Sequence, residues 1–88
     1  MGFLGLDVAA IRHLARQLDT QSNEVALAAN ELTQAIDATS WFGSDQASFV
    51  QQWESVHRPA LTRASELLGT ASSIAQQSAV DQERTSGA

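Results

Sequence analysis

The chain of 88 residues has no cysteine, no tyrosine, no lysine and a single proline, Pro59. Without cysteine, neither a disulfide framework nor a thiolate metal site can be built, and the redox compartment stays open. The five basic residues are all arginines, Arg12, Arg16, Arg58, Arg63 and Arg84, scattered against ten acids for a net charge of -5. Phosphate binding needs a basic stripe that is absent here, so no nucleic-acid ligand is expected. The opening MGFLGLDVAAI has neither a basic n-region nor a long apolar run, and reads as neither signal peptide nor membrane anchor. A myristoylation reading of the same start wants Ser or Thr where Leu6 stands.

What is present is helical periodicity. Apolar residues recur every seven positions as Leu4, Ile11, Leu18, Val25 and Leu32, with a companion row of Val8, Ala15, Ala29 and Ile36 interrupted by Ser22. Asp7 is placed to cap the first exposed amides, which predicts a helix over 7–38. The period resumes after Gly43 as Phe49, Trp53, Ala60, Leu67 and Ile74, flanked by Val56, Ala64 and Ala71 on one side and Leu61, Leu68 and Ala75 on the other. A second helix over 45–80 is expected, capped by Ser44 or Asp45, with a flexible tail over 81–88 where no apolar residue holds the chain down. Pro59 predicts a kink, because it leaves the Ser55 carbonyl without its donor; a new helix beginning at Pro59 is the competing reading.

Two such helices in one short chain predict an all-α antiparallel hairpin. Ile11 pairs with Ile74, Leu18 with Leu67, Val25 with Ala60, Leu32 with Trp53 and Ile36 with Phe49, in one common register whose centre falls between Phe42 and Gly43. The turn therefore spans 39–44. Gly43 supplies the positive φ that a helix C-terminus commonly needs, while Trp41, Phe42, Phe49 and Trp53 plug the closed end. Arms of roughly 33 to 37 residues make a rod roughly 50 to 55 Å long at 1.5 Å per residue. A rod so thin cannot cover all its apolar width, and Leu14, Ala28, Ala35, Leu61, Leu68 and Ala75 are left for another molecule, which predicts a four-helix bundle made from two hairpins.

Catalytic chemistry is not legible. Asp45 and Glu54 have no apolar cleft, and no Ser, His and acid cluster is apparent. His13 and His57 lack a second ligand at metal spacing. The acids read as a solvated face, with Glu54 and Arg58 an i,i+4 pair worth tenths of a kcal/mol. The expectation is a protein without enzyme activity, cofactor, metal or small-molecule substrate. Trp53 reads as core filling. Trp41, just outside the helix, stays open between end plug and recognition residue.

The Trp41-Phe42-Gly43 turn at the centre of a helical hairpin, continued as Asp45, Ala47, Phe49 and Trp53, resembles the WXG family of small type VII secretion proteins, the early-secreted-antigen type. The likeness covers nearly the whole chain, and the arginine-only, alanine-rich composition agrees with an actinobacterial source. The resemblance implies a homodimer, or a heterodimer with another WXG-type protein or the WXG-like domain of a larger effector. It implies export in folded form, without a cleavable signal peptide, by a machine driven by a motor ATPase. The export surface would combine Trp41, Phe42 and Gly43 with a C-terminal motif, here the segment of Val80, Asp81 and Glu83. That motif carries a tyrosine four residues before an acid, and the corresponding positions hold Gln77 and Ala79. Either a partner supplies the missing half or the segment has diverged. The contrasting reading is a cytoplasmic helical-hairpin adaptor that completes a bundle with some other protein.

Overall fold

The computed structural model describes residues 7–87. The expected start of the apolar row at Leu4, the reading of the amino terminus and Ala88 lie outside the described residues. Helix α1 spans Val8–Ala38, α2 spans Asp45–Gln52, a π-helical turn spans Trp53–His57 and α3 spans Arg58–Gly87. Trp53 and Arg58 both keep right-handed helical angles, so α2, the π-helical turn and α3 form one continuous second arm. The described residues contain no strand.

Local chemistry explains both ends of α1. The Asp7 carboxylate accepts from the Ala9 N–H at 2.9 Å, satisfying one of the free donors of the first turn. At the other end Thr39 turns extended, with φ -76° and ψ 138°. Its hydroxyl donates to the Ala35 carbonyl at 2.6 Å, and the Trp41 indole N–H donates to the Ile36 carbonyl at 3.1 Å. Gly43, at φ 66°, is therefore not the cap of α1: its left-handed backbone lies four residues further on, directly before Ser44 at the head of α2. Ser44 makes no side-chain capping bond there, and Asp45 sits in the first turn.

The two arms are antiparallel. Trp53 meets Thr33, Ser65 meets Ser22 and Ser72 meets Ala15, so contacts advance along one arm as they retreat along the other. The result is a rod with extents of 67 × 17 × 15 Å. The longer second arm sets its length.

The far end of that arm is helical over 81–87, where the sequence predicts a tail with no apolar residue to hold it. The helix runs past Val80 through Asp81 and Glu83 to Gly87. Ala79 is fully buried, Gln77 donates to Asp81 at 3.0 Å within the helix, and Arg12 of α1 forms an ion pair with Glu83. A row of polar residues is compatible with helix when one small apolar residue anchors the turn and i,i+4 pairs support it.

A larger correction concerns which face of the second arm is inward. Ile11, Leu18, Val25 and Ile36 of α1 are partly buried, and the smaller Ala15 and Ala29 of the companion row are buried outright, Ala15 at 1% exposure. Leu32 is exposed. On the second arm Trp53 is buried, but Phe49, Ala60, Leu67 and Ile74 are exposed, with Leu67 at 63% and Ile74 at 62%. Leu61, Leu68 and Ala75, expected outside, are the partly buried residues, together with buried Ser72 and Ala79. The physical reason is the π-helical turn. The Arg58 N–H bonds to the Trp53 carbonyl, five residues back rather than four, which adds one residue to the arm. Every position after it is displaced by one, and Leu61 takes the place that an uninterrupted α-helix would give Ala60. The arm is not broken at Pro59, which lies in the first turn of α3 where the hydrogen-bond ladder changes step and a missing donor costs least.

Candidate functional site: the tip and the outward apolar face

The closed end of the hairpin is built from four aromatic residues in different roles. Trp53, 7% exposed, donates its indole N–H to the Thr33 hydroxyl at 2.8 Å, and that hydroxyl donates to the Ala29 carbonyl at 2.8 Å. Its hydrogen-bond partner is Thr33, while Leu32, expected opposite it, is 47% exposed. Trp41 is partly buried, held by the Ile36 carbonyl and packed on Phe49 with ring centroids 5.2 Å apart at 35°. This is the plug of the hairpin. Phe42, between Trp41 and Gly43, is 89% exposed. An aromatic ring standing clear of a turn is the most available anchor among the described residues, since burying it elsewhere recovers nearly its whole apolar area. No Cβ built at Gly43 meets any atom within 4 Å, so backbone angle alone calls for glycine there.

The seam between the arms is polar where hydropathy reading finds interruptions. The Ser22 hydroxyl donates to the Ser65 carbonyl at 2.6 Å, and the Ser65 hydroxyl donates back to the Ser22 carbonyl at 2.8 Å. The Ser72 hydroxyl donates to the Ala15 carbonyl at 2.7 Å. Small side chains let the helices approach closely enough for these bonds. Among the described residues no buried side-chain donor or acceptor lacks a partner. Ser22, Thr33, Ser65 and Ser72 were not expected on the seam; the available signal was their spacing in line with Ala15, Ala29 and Ala79.

The remaining apolar residues gather on one side. With 100° per residue, Leu14, Ala28, Leu32 and Ala35 occupy one flank of α1 next to its seam. Phe49, Val56, Ala60, Leu67 and Ile74 occupy the flank of the second arm that, in an antiparallel pair, faces the same way. All of them are exposed. Gln17, Gln21 and Ser78 fill the gaps, partly buried Ala64 and Ala71 line its inner edge, and charge is confined to Asp45 at the tip and Arg63 and Asp81 at the border. Arg12, Asp19, Asp37, Glu54, Arg58 and Glu66 fall on the opposite face, where Arg58 holds Glu54 at 3.2 Å. The hairpin is therefore amphipathic as a unit. Leu14, Ala28 and Ala35 take the outward place expected of them, whereas the second arm offers Ala60, Leu67 and Ile74 in exchange for Leu61, Leu68 and Ala75.

The described residues contain no group of three His, Cys, Asp or Glu side chains able to hold a metal ion. His57 packs near Trp53, ring centroids 6.5 Å apart, one helical turn along the same arm. No helix among the described residues is long and apolar enough to cross a membrane. Val80 is partly buried at the end of α3, while Asp81 and Glu83 are exposed. Comparison with known proteins finds no matching family model, curated protein or solved structure.

Proposed function

We propose that this chain is a non-enzymatic, dimer-forming hairpin subunit that a type VII secretion machine exports folded, as cargo or as the escort of a larger effector. The observation that carries the reading is the tip: Trp41 fastened as a plug, Gly43 in left-handed backbone and Phe42 presented to solvent at 89% exposure. The geometry suits a turn that is read by another protein, and Phe42 rather than Trp41 is its anchor. Localisation on this reading is extracellular after cytoplasmic synthesis, without a cleavable signal peptide.

The same reading gives the outward face to a dimer partner. From Phe49 to Ile74 the face runs about 38 Å at 1.5 Å per residue, which across the 17 Å width of the rod gives a footprint of about 640 Å², close to the roughly 800 Å² per partner of a standard interface. Its apolar, alanine-interrupted surface, with charge only at the tip and border, fits a second helical hairpin, which completes a four-helix bundle. Absence of tyrosine at Gln77 and Ala79 favours a partner that carries the other half of the export signal, hence a heterodimer. The motor ATPase then engages Phe42 of this subunit and the C-terminal segment of its partner.

Secretion measured for Phe42→Ala tests the proposal. Export of the protein should fall several-fold while melting temperature and solution mass stay unchanged. Undiminished export would remove the tip from the signal. Retention of the unaltered protein inside cells that carry an active secretion machine would favour the cytoplasmic adaptor.

A further inference from the structure

The second arm carries two apolar rows one residue apart, and the π-helical turn decides which of them faces α1. A step of seven from Trp53 through an uninterrupted α-helix brings Ala60, Leu67 and Ile74 inward. The extra residue in Trp53–His57 rotates all that follows by about 100°, placing Leu61, Leu68 and Ser72 inward instead. The rows are near equivalents as packing surfaces. Ser65 and Ser72 of the inward row have Ala64 and Ala71 beside them, both partly buried at the edge of the seam, so either pair offers α1 small positions. Among the described residues no large side chain is fully buried, and past Trp53 no large buried residue locks the observed choice. Three hydroxyl-to-carbonyl bonds at Ser22, Ser65 and Ser72 hold it. Pro59, the single residue of the chain without an N–H, sits where the ladder steps from five residues to four.

We infer that the π-helical turn is a register hinge: by passing between π and α, α3 rotates about its own axis and exchanges the row packed on α1 for the row offered outward. The π state presents Leu67 and Ile74; the α state presents Leu61 and Leu68. One hairpin thereby has two partner faces, and a partner that binds one of them holds the arm in that state. The inference is independent of the export reading and concerns any partner that covers the face.

Paired cysteines in a chain that has none of its own test it. Ser22→Cys with Ser65→Cys reports the π state, because the two native hydroxyl oxygens lie 3.2 Å apart. Ser22→Cys with Ala64→Cys gains from the α state, which carries Ala64 from the edge of the seam to the place of Ser65, so its rate relative to the Ser65 pair is the reading. Both pairs should oxidise to an intramolecular disulfide in the otherwise unchanged chain, the second more slowly. Deleting Ser55 removes the extra residue and leaves Leu61 and Leu68 inward in a plain α-helix. The Ala64 pair should then close about tenfold more slowly relative to the Ser65 pair than it does in the unshortened chain. Pro59→Ala restores the missing donor, favours the α state, and should move the ratio about threefold or more the other way. An Ala64 pair that never closes, or a ratio that neither change moves, overturns the hinge. If circular dichroism shows the deletion unfolded, the Pro59→Ala ratio decides.

Discussion

Ser22 and Ser65 exchange hydroxyls across the hairpin, each donating to the other's backbone carbonyl, at 2.6 and 2.8 Å. This reciprocal pair lies midway along the seam and converts two interruptions of the apolar pattern into its register mark. Each carbonyl already serves its own helix, and its second lone pair is what the opposite hydroxyl uses.

Removing both hydroxyls should therefore cost less than the two single removals added together. Ser22→Ala and Ser65→Ala are each expected to lose about 1 kcal/mol of stability. The double variant should lose less than the sum, since the two hydroxyl oxygens lie 3.2 Å apart and each single substitution also removes the other's polar neighbour. Denaturant unfolding of the three variants checks this, and strict additivity would show that the two bonds act independently.

Trp53 is the keystone of the closed end. Trp53→Ala should destabilise the protein by about 3–5 kcal/mol through the cavity it opens. Trp53→Phe keeps most of the ring volume but drops the bond to Thr33, and should cost about 1 kcal/mol beyond the change in packing. Thermal melts of both, with Thr33→Val as a partner variant, separate ring from hydrogen bond.

Leu67 and Leu68 are neighbours in sequence with opposite assignments. Leu68 packs on α1, so Leu68→Glu brings a carboxylate into the seam and should lower stability by roughly 2–4 kcal/mol. Leu67 stands 63% exposed, so Leu67→Glu should leave the melting temperature of the monomer within about 0.5 kcal/mol equivalent while lowering solution mass if this face carries the partner. Light scattering and melting curves on the pair distinguish seam from outward face. The reverse pattern would mean that α3 rests in the other register.

The glycines of turn and helix should respond oppositely. A Cβ at Gly69 lies 3.5 Å from the Ser22 hydroxyl oxygen, an ordinary contact, so Gly69→Ala should stabilise α3 by about 0.5–1 kcal/mol through lower unfolded-state entropy. Gly43→Ala meets no atom, yet its φ of +66° is left-handed, and the substitution should cost about 1 kcal/mol or more. Melting temperatures that move the same way for both would contradict this account.

Much of the molecule follows from short-range pattern alone. Two long amphipathic helices, a reversal over 39–44 and the cap at Asp7 depend on neighbours within a few residues, where hydrogen-bond geometry and a 3.6-residue period leave few alternatives. The exposed position of Phe42 and the plugging role of Trp41 did not follow, because both aromatics fit a turn equally well. Only the path of Thr39 and the Ile36 carbonyl assigned them.

The inward face of the second arm belongs to the tertiary structure. With apolar residues at 60, 67 and 74 and again at 61, 68 and 75, periodicity permits both faces, and one added residue in a π-helical turn decides between them. What tips that decision is long-range: serines at 22, 65 and 72 find carbonyls on the opposite helix, partners that no local pattern can supply. The continuation of α3 beyond Val80 has the same origin, since a polar segment becomes helix when Ala79 is buried and Glu83 meets Arg12 across a sequence separation of 71 residues. Local sequence determined where the helices are; contacts between distant residues determined which of their faces meet and which remain for a partner.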